Sequence, residues 1–90
     1  MELGHYQITF TIEEVANTIG NTTEQTKIFV RQNEELVFSD VVTRFHRDPY
    51  NARVAEKKLL ARFFQHMEFP QNTRYNYWQQ YRNSVPRRKW

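Results

Sequence analysis

Two prolines, Pro49 and Pro70, bracket the most strongly patterned stretch of this chain. Asp48 offers an N-cap side chain and Pro49 a fixed φ suited to a first helical turn, so together they predict a helix start. From there onward, Ala52, Ala55, Leu59, Leu60, Phe63, Phe64 and Met67 form one wide apolar stripe, with Arg53, Lys57, Lys58 and Arg62 opposite. A helix with such a face must be buried along one side, which makes it the central core element. Pro70 ends it, because proline cannot continue the helical hydrogen-bond ladder.

The remaining residues have to supply what covers that stripe. Ninety residues make one small core with little to spare. The hydrophobic fraction is 39% and the aromatic fraction 16%, so aromatic rings must provide much of the buried area. With 26% charged residues and only two glycines, the composition points to a mainly helical globular domain. Cysteine is absent, which excludes disulfides, thiolate metal sites and cysteine nucleophiles. No run approaches the ~18 apolar residues of a membrane span. Met1-Glu2-Leu3-Gly4 lacks the pattern of a signal peptide, so a cytoplasmic location is the expectation.

Tyr6, Ile8 and Phe10 alternate with His5, Gln7 and Thr9, the pattern of a half-buried strand. Leu36-Val37-Phe38 is the other short apolar run that could pair with it. The stretch between these two governs the functional expectation. Thr11 and Glu14 have capping-box spacing, and Ile12, Val15, Ala16 and Ile19 recur at helical intervals, predicting a short helix that stops at Gly20. Thr22 and Gln25 repeat the spacing, predicting a second helix over Thr23–Asn33. Ile28 and Phe29 would then face the core, with Gln25, Lys27, Arg31 and Gln32 outward. Two helices about a glycine turn form a helix-turn-helix candidate. Further along, Ser39 and Asp40 resemble another helix start, with Val41, Val42 and Phe45 as its buried positions. A last helix is predicted from about Thr73, carrying Tyr77, Trp78, Tyr81 and Val85 on one side before Pro86.

The run FTIEEVANTIG resembles the opening of MerR-like and excisionase-like winged helix-turn-helix domains. The matching residues are Phe10, Thr11, Ile12, Glu14, Val15, Ala16 and Gly20. The likeness spans residues 10–33. It implies a mainly α fold with a small β-ribbon, winged or wing-reduced, of about four to five helices. It also implies a small sequence-specific double-stranded DNA-binding protein, regulatory or architectural, of the kind carried by phages and plasmids.

Charge distribution points the same way. Net charge is +3, yet all ten acids lie at or before Glu68, and residues 71–90 hold Arg74, Arg82, Arg87, Arg88 and Lys89. A basic end on a near-neutral body favours an anionic partner. The sequence thus divides into a helix-turn-helix core over residues 1–70 and a basic, aromatic helix and tail over 71–90. The expected DNA contacts are Thr23, Gln25, Lys27, Arg31 and Gln32 on the recognition helix, with Arg74, Arg82, Arg87, Arg88 and Lys89 on phosphate. A module this small makes few contacts, so a homodimer or cooperative assembly on DNA is expected.

Each of these signals has a plainer explanation. The outward residues of the second helix are also what any solvated helix face carries, and Tyr77, Trp78 and Tyr81 could simply pack onto the long helix. Alternatively, Tyr77, Trp78, Tyr81 and Trp90 could anchor a protein partner, since Tyr, Trp and Arg dominate interface hot spots. The same aromatics could also hold RNA or a single strand. His5, His46 and His66 lack metal-ligand spacing, and no phosphate loop, nucleophile elbow or paired-carboxylate pocket is visible. No metal, cofactor or catalytic residue is therefore expected.

Overall fold

The structure, a computed structural model, describes residues 1–16, 22–45 and 50–84. They form β1 (Glu2–Leu3), β2 (Tyr6–Ala16), β3 (Thr22–Gln32), β4 (Glu35–Phe45), α1 (Tyr50–His66) and α2 (Gln71–Ser84). The strands make one antiparallel sheet in the order β1-β2-β3-β4. Both helices pack on the same side of it, so the molecule has two layers.

This corrects the expectation of a mainly α, helix-turn-helix fold with four to five helices. Residues 12–16, expected as helix, continue β2; residues 23–32 are β3; and residues 39–45 belong to β4. The glycine turn at Gly20 lies outside the described residues. The physical reason is in the side chains. Each of β2 and β3 has five β-branched residues in eleven, among them Ile8, Thr9, Thr11, Ile12 and Val15 in β2. Such side chains lose rotamer freedom in a helix and pack well on a pleated sheet. The alternation that starts at Tyr6 runs on through Ile12, and long cross-strand pairing stabilises it where two isolated short helices would be marginal.

Register fixes which residues share a face. Ile8 sits opposite Val30, Phe10 opposite Ile28 and Ile12 opposite Thr26. Across the next pair, Val30 meets Phe38, Ile28 meets Asp40 and Thr26 meets Val42. These residues share the side of the sheet on which the helices pack, although Ile12, toward the far end of β2, remains exposed. Thr9, Thr11, Thr23, Gln25, Lys27, Phe29, Arg31, Ser39, Val41 and Thr43 have the opposite parity and form the open face. Asn33 and Glu34 turn β3 into β4 with φ of 52° and 67°, the left-handed pair that a two-residue hairpin requires. A bulge between Val30 and Arg31 shifts the register beside that turn.

The expected core helix is present, and its stripe is the centre of the core. Ala55, Leu59, Leu60, Phe63 and Phe64 of α1 are buried, together with Leu3, Ile8, Ile28, Val30 and Tyr81. The Phe63 ring lies 5.4 Å from Tyr6, 5.5 Å from Phe38, 5.8 Å from Phe64 and 5.5 Å from Phe69. At the C-terminus of α1, Glu68 takes φ 55°. Its N–H bonds the Gln65 carbonyl at 3.1 Å, and the Phe69 N–H bonds the Phe64 carbonyl at 3.3 Å. These are the paired bonds of a Schellman cap, and the accompanying apolar contact is Phe69 on Phe64. Pro70 therefore stands just before α2 rather than ending α1. Gly4, at φ 61°, turns β1 into β2, and a Cβ there would approach the Tyr77 hydroxyl to 2.6 Å. Among the described residues no helix is long and apolar enough to cross a membrane.

Two outcomes follow from this packing. Phe63→Ala removes the ring shared by both layers and should destabilise the fold by about 3–5 kcal/mol in a urea titration. Thr26 is buried between Ile12 and Val42, and its Oγ1 has no hydrogen-bond partner. Thr26→Val keeps the shape and removes the stranded hydroxyl, so it should raise the melting temperature, with a gain of about 1 kcal/mol.

Candidate nucleic-acid interface

The expected DNA-contacting residues do not assemble into one surface. Thr23, Gln25, Lys27 and Arg31 lie on the open face of the sheet, Gln32 at the end of β3, and Arg74 and Arg82 on α2 in the other layer. Arg87, Arg88, Lys89 and Trp90 lie outside the described residues. Lys27 is held by Glu13 at 3.2 Å across β2 and β3, which reduces its availability for phosphate. Residues 23–32 form a strand and so are not the recognition helix that was expected there.

The aromatic residues of α2 divide in the same way. Tyr81 is buried, and its hydroxyl donates to Glu56 Oε1 at 2.7 Å. Arg53 Nη1 meets the same oxygen at 3.3 Å. Burial first, and then the bond to and the charge of the Glu56 carboxylate, push the Tyr81 phenol far above its ordinary range. Tyr77 packs on Phe64 and Phe69, at 5.8 Å and 5.2 Å. Burial and the nearby Tyr6 raise its phenol as well. Trp78 is half-buried, edge-on to Phe64 at 5.1 Å. Tyr75 alone of the α2 aromatics stands out from the core, 63% exposed.

Tyr75 opens onto a groove of about 610 Å³ along the outer seam of the two helices. On α1, Val54, Lys57, Lys58 and Ala61 fall at i, i+3, i+4 and i+7 and form one wall. On α2, Tyr75, Trp78, Gln79 and Arg82 form the other, with Tyr81 between them. The surface is largely apolar within and cationic at the edges. Lys57, Lys58 and Arg82 are exposed and form no ion pair with a described carboxylate. The one acid beneath, Glu56, is already engaged by Tyr81 and Arg53. Arg62 stands outside the groove, tied to Asp40 at 3.2 Å.

Charge is sorted by layer around this groove. Residues 50–84 carry Arg53, Lys57, Lys58, Arg62, Arg74 and Arg82 against Glu56 and Glu68, a net +4. Residues 1–45 carry Lys27, Arg31 and Arg44 against seven acids, a net −4. In the sequence the basic end falls at residues 71–90, and Lys57 and Lys58 lie opposite the apolar stripe of the long helix. Their adjacency opposite the apolar stripe, next to a helix of aromatic and basic residues, was the usable signal. Tyr75 could have been separated from its neighbours by its position off the Tyr77, Trp78, Tyr81 stripe.

A second concavity, about 590 Å³, lies beside β4 and includes Ser39, Asp40 and His66. No hydrogen bond links these three. Asp40 instead accepts from the Val41 N–H at 2.8 Å and from Arg62, and the His66 ring rests 5.2 Å from Phe38. Among the described residues no group of three or more His, Asp or Glu is arranged to hold a metal ion. No family model matches this chain, and neither a curated protein nor a solved structure matches it.

The Tyr81 phenol supplies a test of the helix seam. A phenol raised above its ordinary value of 10.0 keeps its proton in the folded state where the unfolded chain has lost it. Its contribution to stability is therefore present below about pH 10 and lost as pH rises further. Stability measured by denaturant titration should fall above about pH 10, and Tyr81→Phe should flatten that fall.

Proposed function

We propose that this protein binds nucleic acid along the outer surface of its two helices. The observation that carries the proposal is the seam groove, in which Lys57, Lys58 and Arg82, without an ion pair among the described residues, surround an apolar floor with an exposed tyrosine. Unpaired cations on a low-dielectric surface attract phosphate, and the release of its condensed counterions drives binding. The layer asymmetry supports the same orientation, because a polyanion is attracted to the helix layer and repelled from the acidic sheet layer. Exposed aromatic side chains among the cations are the usual partners of bases, whereas a surface meant only for water would carry mixed charge. Arg87, Arg88 and Lys89 follow α2 in the sequence and add positive charge to that end of the chain.

The test is a salt titration of a fluorescent oligonucleotide by anisotropy. Affinity should fall linearly with the logarithm of salt concentration, with a slope of about −0.7 to −0.9 per phosphate neutralised. Replacing Lys57, Lys58 and Arg82 together by Ala should flatten the slope by about two to three units. Lys27→Ala with Arg31→Ala, on the open sheet face, should leave it unchanged. No binding at ~50 mM salt, or an equal loss in the two variants, would overturn the assignment.

A further inference from the structure

We infer that the groove takes an unpaired strand, with a base stacked on Tyr75. This rests on the nucleic-acid reading of the same groove and narrows it to a substrate class.

Tyr75 differs from the other tyrosines whose side chains are described. Tyr6, Tyr77 and Tyr81 are each in ring contact with core aromatics. Tyr75 makes no ring contact with a described aromatic and exposes 63% of its surface. It sits at the wall of the groove, with the half-buried Trp78 one turn along α2 and Val54 across on α1. An exposed ring over an apolar floor has a face to offer, and what it can receive is a flat apolar face.

A duplex cannot present one. Its base faces are consumed by its own stacking, and only edges and phosphates reach the surface. Bringing a base face to Tyr75 would require unstacking and unpairing, at a cost of a few kcal/mol. A single strand presents base faces without that cost, and stacking on an aromatic is tolerant of sequence because every base has a π face. The cations fit the same geometry. Lys57 and Lys58 on α1 and Arg82 on α2 flank the floor from both sides, so phosphates on either side of a stacked base meet positive charge. A volume of about 610 Å³ is of the size that holds a small flat ligand, hundreds of cubic ångströms, rather than a double helix.

The experiment compares a labelled oligothymidylate with a blunt duplex of the same length, by anisotropy at one salt concentration. Both are titrated with the full chain and with Tyr75→Ala, Tyr75→Phe and Tyr75→Trp. The single strand should bind at least about tenfold more tightly than the duplex. Tyr75→Ala should weaken single-strand binding roughly 5- to 150-fold, the range found for one stacked base, and leave duplex binding unchanged. Tyr75→Phe should retain affinity, and the indole of Tyr75→Trp should lose fluorescence when the strand is added. Circular dichroism should show the same fold for all variants, since Tyr75 is outside the core. Equal binding of the two nucleic acids, or an equal loss from both in Tyr75→Ala, overturns the single-strand assignment and leaves nucleic-acid binding standing. Binding of neither overturns both.

Discussion

The contact between the α1 stripe and the inner face of the sheet is the interaction that the other features depend on. An eleven-residue strand with alternating polarity leaves its apolar side in water unless something covers it, and packing against a helix is one way a small sheet gains stability. Leu59, Leu60, Phe63 and Phe64 provide the cover, and Phe63 meets residues of β2, β4 and the connection to α2. The Schellman cap then fixes the direction in which the chain leaves α1. Phe69 turns back onto Phe63 and Phe64, and α2 returns antiparallel beside α1 with Tyr81 bonded to Glu56. The outer seam exists because that return is locked, so the groove is a product of the core rather than an addition to it.

The sequence was legible where one periodicity had no rival. The helix bracketed by Pro49 and Pro70, the aromatic helix after Thr73 and the strand through Tyr6, Ile8 and Phe10 all correspond to α1, α2 and the start of β2. It was misleading where two periodicities coincided. Ile12, Val15, Ala16 and Ile19 satisfy helical spacing, and Ile12 also continues the strand alternation. Capping-box spacing at Thr11/Glu14 and Thr22/Gln25 strengthened the helical alternative, but Thr and Glu occur at that spacing in strands as well. The deciding information was β-branching along the whole of residues 6–32 and the length available for cross-strand pairing, both of which local motifs overlook. The site was legible only as a tendency toward basic and aromatic residues near the end of the chain. Its actual walls combine one face from each helix, and which faces meet depends on the turn at Glu68.

Sorting of charge between layers is a second consequence of the two-layer plan. The acids of residues 1–45 and the bases of residues 50–84 nearly mirror each other in number, although total charge is small. One ion pair joins the layers within the described residues, Asp40 to Arg62, and it lies on the covered side of the sheet. The remaining charges separate across the thickness of the molecule and give it an electrostatic direction that net charge alone conceals. Any charged partner will approach one layer in preference to the other, whatever the chemistry of its final contacts.

The order of the elements along the chain has its own consequence. Among the described residues the four strands precede the two helices, so during synthesis the meander emerges before its cover, at a rate of roughly 5–20 residues per second. Ile8, Ile28, Val30 and Phe38 then face water until Phe63 is translated and released. The nascent sheet spends that interval with an uncovered apolar side, in addition to the β4 edge that it keeps in the finished fold. The vulnerable moment in the life of this protein is therefore set by the stretch between the end of β4 at Phe45 and the far end of α1 at His66. Transiently exposed apolar surface of this kind is what makes a folding chain prone to aggregate, until the second layer closes.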